Sequence, residues 1–118
     1  MPVVDARAES RFEGAVAEAR ANCRSGHIPG SRCLPFTAVL DKDGATMKSP
    51  QEIKEAFDAA GVDINDGGLI GSCGSGVTAA VLALALAHCG REDLLEIYDG
   101  SWAEWGGNPS LPLATGKA

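Results

Sequence analysis

A chain of 118 residues, 45% of them hydrophobic, is long enough for one domain with one buried core and too apolar for disorder. Its formal net charge is −6 and its Lys and Arg residues are scattered, which excludes a surface built to grip nucleic acid or anionic lipid. No apolar run approaches the ~20 residues of a transmembrane helix, and Met1-Pro2-Val3-Val4-Asp5 has neither the basic nor the apolar region of a signal peptide.

The chain enters an apolar strand, Val3-Val4-Asp5-Ala6, almost at once. That abrupt start leads us to expect a preceding segment, either a lead-in or a whole domain. Glu9 to Phe12 reads as a short helical turn, and Gly14 to Ser25 as a loop with a helical piece around residues 15–21. His27-Ile28-Pro29-Gly30 is a turn, since Pro and Gly punctuate it. Cys33-Leu34 is a short strand stopped by Pro35. Ser49-Pro50-Gln51-Glu52 is a helix start: Ser49 caps, Pro50 suits the first position and Glu52 completes a capping box. Ile53, Ala56, Phe57 and Ala60 give that helix one apolar face, and Gly61 ends it. Leu69-Ile70-Gly71-Ser72 is a buried strand, and Ala79 to His88 is a buried helix closed by Gly90. Leu95-Glu96-Ile97-Tyr98 is a last strand. Asp99-Gly100-Ser101 turns into a short helix carrying Trp102 and Trp105. Residues 107–118, broken by Pro109 and Pro112, read as a loose tail.

Strands alternating with helices indicate an α/β domain, a central parallel sheet flanked by helices on both faces, spanning residues 1–118 as a single unit. Ligands in such sheets sit at the carboxyl ends of the strands. Cys73 lies there, at a strand-to-helix turn with Gly74 and Gly76 behind it. Backbone N–H groups of Gly74, Gly76, Val77 and Thr78, with the positive end of the following helix, form a cradle that stabilises a thiolate. The thiolate is the reactive form of cysteine, so Cys73 is the candidate nucleophile. The four cysteines, Cys23, Cys33, Cys73 and Cys89, make no CxxC pair, which argues against zinc. A core this apolar does not need disulfides, so free thiols in a reducing compartment, the cytoplasm, are expected. Cys33 is expected to be buried, and Cys23 to lie in a polar loop. A structural role is expected for Arg7, either in a pair with Asp5 or bonding the backbone.

Five stretches in their shared order resemble the rhodanese (sulfurtransferase) family. They are Val4-Asp5-Ala6-Arg7, Arg11-Phe12-Glu13-Gly14, Gly26-His27-Ile28-Pro29-Gly30, Cys73-Gly74-Ser75-Gly76-Val77-Thr78-Ala79 and Tyr98-Asp99-Gly100-Ser101-Trp102-Ala103-Glu104-Trp105. The loop and the last stretch are similar to the catalytic, C-terminal half of two-domain sulfurtransferases of the 3-mercaptopyruvate type. The resemblance implies a rhodanese-like fold and a Cys73 thiolate that takes sulfur from 3-mercaptopyruvate, holds it as a persulfide and passes it to cyanide or a thiol such as thioredoxin. It implies a proton-transfer role for Ser75, substrate-binding roles for Arg11 and Arg20, which would fork a donor carboxylate, and a structural role for His27. It implies no metal or organic cofactor. It also implies that a preceding rhodanese-like domain completes the site in full-length relatives.

Three alternatives stand beside this. Thiosulfate is a second donor, although family members that use it place basic residues after the cysteine, where this chain has Gly74 and Ser75. A sulfur-carrier or regulatory module is a non-enzymatic reading. A cysteine phosphatase would need an arginine at the far end of the loop to hold phosphate oxygens, and that position is Ala79.

Overall fold

The computed structural model describes residues 3–16, 18, 23–41, 46–64, 68–73, 78–91, 94–98 and 100–116. The β-branched pair Val3 and Val4 opens β1 (Val3–Asp5). It pairs in parallel with β2 (Arg32–Cys33) on one side and β3 (Leu69–Ser72) on the other, and β3 pairs in parallel with β4 (Leu95–Ile97). The order is β2-β1-β3-β4. The chain therefore steps outward from β1 to β2, returns past β1 and steps outward again to β3 and β4. The reversal places the topological switch point between β1 and β3, where an open α/β sheet leaves a crevice at its carboxyl edge.

Side chains alternate across the sheet. Val4 and Leu69 face a core shared with α2 (Pro50–Ala59) and α3 (Ala79–His88), built on Ile53, Phe57, Leu82 and Leu86. A Cβ at Gly71 would fall 2.9 Å from Leu95, so this glycine lets the β4 leucine lie across β3. On the other face Asp5 meets Arg7, which stacks on Trp102 of α4 (Ser101–Trp105) with its guanidinium 4.8 Å from the ring centre. Helices thus cover both faces, as expected from the alternation of elements.

The capping box on α2 forms as read: Ser49 and Glu52 bond reciprocally, with Pro50 in the first turn. Gly61 follows in the left-handed region (φ 85°). Elsewhere the structure corrects the sequence. A 3-10 helix, Phe36–Val39, follows Pro35 unannounced. Helix α3 is not buried all round: Leu84 is 63% exposed, although Ala79, Leu82, Ala85 and Leu86 are buried. Cys33 is half-buried rather than fully buried. The tail expected to be loose is tied down as far as Gly116. His27 and Ala114 exchange two backbone hydrogen bonds of 2.9 Å, the Gly116 N–H donates to Glu13 O, and Trp105 Nε1–H donates to Pro112 O. Gly26 makes this docking possible, because its φ of 127° and a Cβ-free side let it back onto the Ala114 carbonyl.

Candidate active site

Cys73 is the first residue beyond β3 and only 1% exposed. Its peptide is gripped from both sides by the start of α4. The Cys73 N–H donates to Ser101 Oγ (3.1 Å), and the Cys73 carbonyl accepts from the Trp102 N–H (2.8 Å). Ser101 Oγ in turn donates to the Tyr98 carbonyl at 2.7 Å. To make these bonds Ser101 adopts φ 50°, the left-handed region that residues with a Cβ rarely occupy. Five residues beyond Cys73, Thr78 stands at the N-cap of α3 with no side-chain cap bond. Gly74, Gly76 and Val77 of the expected cradle, Ser75 with its expected proton-transfer role, and Arg20 lie outside the described residues.

The neighbouring strand contributes charge. Asp5, at the carboxyl end of β1, accepts from Arg7 Nε (3.1 Å) and Nη2 (2.8 Å), and Arg7 Nη2 also donates to Gly26 O (2.7 Å). Both side chains are almost fully buried, which confirms the structural pairing expected of them. A second carboxylate joins: Glu18 lies 3.6 Å from Arg7 Nη1. It also accepts from Arg11 through two points, Nη2 to Oε1 at 2.7 Å and Nε to Oε2 at 3.3 Å. The result is an alternating ladder, Asp5, Arg7, Glu18, Arg11, in which every buried charge faces an opposite one. The Glu18 hydrogen bond raises the Arg11 pKa further above its ordinary value. Arg11 sits in α1 (Glu9–Phe12), directly after β1, and its side chain is 36% exposed, whereas that of Glu18 is fully buried.

The supporting shell is apolar and aromatic. The His27 ring stacks on Phe12 with centroids 3.8 Å apart, and its Nδ1 bonds the Phe12 carbonyl at 2.7 Å, the packing contacts expected of it. The Cys23 thiol donates to the Trp102 carbonyl at 3.6 Å. Burial pushes the Cys33 thiol up to about 12, with the nearby Asp5 and Glu9 acting in the same direction, and burial also raises Cys89. Burial thus shifts both thiols toward the neutral form. The Tyr98 hydroxyl donates to Glu104 (2.8 Å), and burial followed by that bond pushes its pKa to about 12.

Of the residues singled out in the sequence, Cys73 follows β3, Arg11 lies in α1 after the adjacent β1, and Thr78 stands at the start of α3. Ser101 and Glu18 were not foreseen as partners of Cys73 and Arg11. Ser101 lay within a stretch already notable for its motif. Glu18 carried no such signal, since a glutamate in a loop reads as a solvated charge.

A parallel sheet with a buried, backbone-clamped cysteine beyond β3 and a partly exposed arginine after the adjacent β1 defines an α/β domain with a thiol at its switch point. The family model described as the Rhodanese-like domain matches residues 1–108, and the chain belongs to that family. It is 44% identical over 110 residues to thiosulfate/3-mercaptopyruvate sulfurtransferase 1, mitochondrial, of Arabidopsis thaliana, covering 93% of this chain and 28% of that protein. It is 48% identical over 103 residues to the 3-mercaptopyruvate sulfurtransferase of Mus musculus, covering 87% and 34%. The crystal structure of the Tum1 protein from Saccharomyces cerevisiae superposes with a TM-score of 0.81 at 32% identity, covering 99% of this chain and 40% of that one. The chain therefore spans about a third of the length of the curated relatives it matches.

Proposed function

We propose that this domain moves sulfur from 3-mercaptopyruvate to a thiol acceptor or cyanide through a persulfide on Cys73. The observation that carries the reading is the placement of Cys73: buried, backbone-fixed, ahead of a helix N-terminus, with Arg11 after the adjacent strand. The Cys73 thiolate attacks the donor sulfur. The carbon–sulfur bond breaks, the electron pair leaves as the pyruvate enolate, and the donor thiol proton ends on that carbon, giving pyruvate and a Cys73 persulfide anion. Cyanide then takes the outer sulfur as thiocyanate, or a thiol takes it as a new persulfide, and the Cys73 thiolate returns. Arg11 and Arg20 hold the donor carboxylate, and Ser75 relays the proton. Gly74, Gly76, Val77 and Thr78 present backbone N–H groups to the sulfur.

The acceptor we favour is a cysteine thiol of the thioredoxin type or a small thiol. A preceding rhodanese-like domain, consistent with the fraction of its relatives that this chain spans, would close the site from above. Among the described residues no helix is long and apolar enough to cross a membrane. We place the domain in the cytoplasm, because its chemistry needs reduced thiols.

Thiosulfate remains the second donor, since the Arabidopsis relative carries both donors in its name. Release of pyruvate and of sulfite, measured with each donor in turn, decides between them. The expected result is faster turnover with 3-mercaptopyruvate; a strong preference for thiosulfate would overturn the choice of donor and leave the Cys73 persulfide standing.

A further inference from the structure

We propose that Glu18 is the positioning residue for the arginine that meets the sulfur donor. The inference rests on Arg11 binding the donor's anionic group, as set out above, and it assigns to Glu18 a part that the sequence did not suggest.

An exposed arginine is a poor anion receptor by itself, because its long side chain samples many rotamers and each binding event must freeze one of them. Arg11 does not have that freedom. Glu18 takes its guanidinium side-on, through Nε at 3.3 Å and Nη2 at 2.7 Å, which fixes both the plane and the direction of the fork. Glu18 itself is immobilised: its side chain is fully buried and faces Arg7 at 3.6 Å. Arg7 is anchored in turn by Asp5, by the Gly26 carbonyl and by stacking on Trp102. The ladder therefore ties the Arg11 fork to β1 and to α4, the helix whose first turn grips the Cys73 peptide.

The side-on grip also leaves the right edge open. A guanidinium has five N–H donors, and Glu18 takes one from Nε and one from Nη2. Both donors of Nη1 and the second donor of Nη2 remain, and that end-on edge is itself a fork for a carboxylate or a sulfonate. The exposure pattern agrees, with the arginine 36% exposed above a carboxylate that solvent does not reach. Glu18 thus presents the end-on face of Arg11 outward and lets one arginine serve two anions, one structural and one transient.

The test is a double-mutant cycle on the full 118-residue chain with Arg11→Ala and Glu18→Gln. The readout is the concentration of 3-mercaptopyruvate needed for half-maximal persulfide formation on Cys73. A neutral alkylating reagent, iodoacetamide, reports in parallel on Cys73 reactivity. Arg11→Ala and Glu18→Gln are each expected to raise the required donor concentration about tenfold. Glu18→Gln is expected to leave the alkylation rate of Cys73 unchanged, and to add nothing when Arg11 is already alanine. An additive double variant, or an altered alkylation rate in Glu18→Gln, would show a merely structural carboxylate and overturn the proposal. So would a lowered donor requirement in Glu18→Gln, because Glu18 would then be competing with the donor. No effect of Arg11→Ala would instead remove Arg11 from the donor site, a distinct failure of the underlying reading.

Discussion

The backbone N–H of Cys73 donates to Ser101 Oγ at 3.1 Å, across 28 residues of chain and from the end of a strand to the start of a helix. The hydroxyl can reach only because Ser101 holds φ 50°. Two costs therefore oppose each other at this position. Alanine would keep the unfavourable φ and orphan a buried N–H, a loss of about 1–3 kcal/mol. Glycine would orphan the same N–H but relieve a backbone strain on the order of 1 kcal/mol or more. Ser101→Gly should accordingly unfold at a higher urea concentration than Ser101→Ala, with both below wild type. The reverse order would mean that the left-handed backbone carries no strain here.

Tyr98 is the sole tyrosine, so its ionisation can be followed without interference in the ultraviolet absorbance. Burial and the hydrogen bond to Glu104 hold its hydroxyl to about 12, above the ordinary value of 10.0. Alkaline titration should show a single phenolate midpoint displaced upward, and Glu104→Gln should move it back down. A midpoint at the ordinary value in the folded protein would contradict the geometry of this pair.

Cys33 offers a pH dependence of stability with a defined sign. Its folded pKa of about 12 lies above the unfolded value of 9.0, so the unfolded chain loses the proton first as pH rises. The contribution is fully present below pH 9.0 and is lost as pH climbs towards 12. Urea midpoints should fall over that window, and Cys33→Ser should flatten the fall. In alkylation at neutral pH Cys33 should react slowly, since burial holds its thiol protonated. Rapid neutral-pH labelling of Cys33 in the folded chain would contradict its burial.

The sheet, its strand sequence and the capped α2 were legible because each rests on local chemistry: β-branched pairs, a Ser-Pro-Gln-Glu start, glycine stops. Cys73 was legible for the same reason, as a cysteine at a strand-to-helix turn. What was not legible depends on contacts far apart in sequence. The exposure of Leu84 follows from how α3 lies on β3 and β4, and its Ala/Leu composition carries no polar face to announce it. Docking of the tail requires Gly26 to meet Ala114, a pairing across most of the chain that Pro-broken sequence conceals. Glu18 in a loop reads as a solvated charge until Arg7 and Arg11 are placed on either side of it.

Arg7 should be the least replaceable of the charged residues. It faces two buried carboxylates, Asp5 and Glu18, and removing it takes the bonded cation from Asp5 and leaves Glu18 with Arg11 alone. Arg7→Ala is expected to cost about 3–5 kcal/mol of stability, read as a lowered urea midpoint. Arg7→Lys should recover only part, because an ammonium cannot reproduce the side-on fork or the stacking on Trp102. A near-neutral Arg7→Ala would show that the ladder is dispensable to the fold.

The proposed function rests on Cys73 carrying sulfur. Mass spectrometry of the intact and digested chain after exposure to 3-mercaptopyruvate tests it most directly. The expected result is a gain of one sulfur atom on Cys73, absent in Cys73→Ser and discharged by cyanide with release of thiocyanate. A folded wild-type chain that gains no sulfur on Cys73, or a gain on another cysteine that persists in Cys73→Ser, would contradict it.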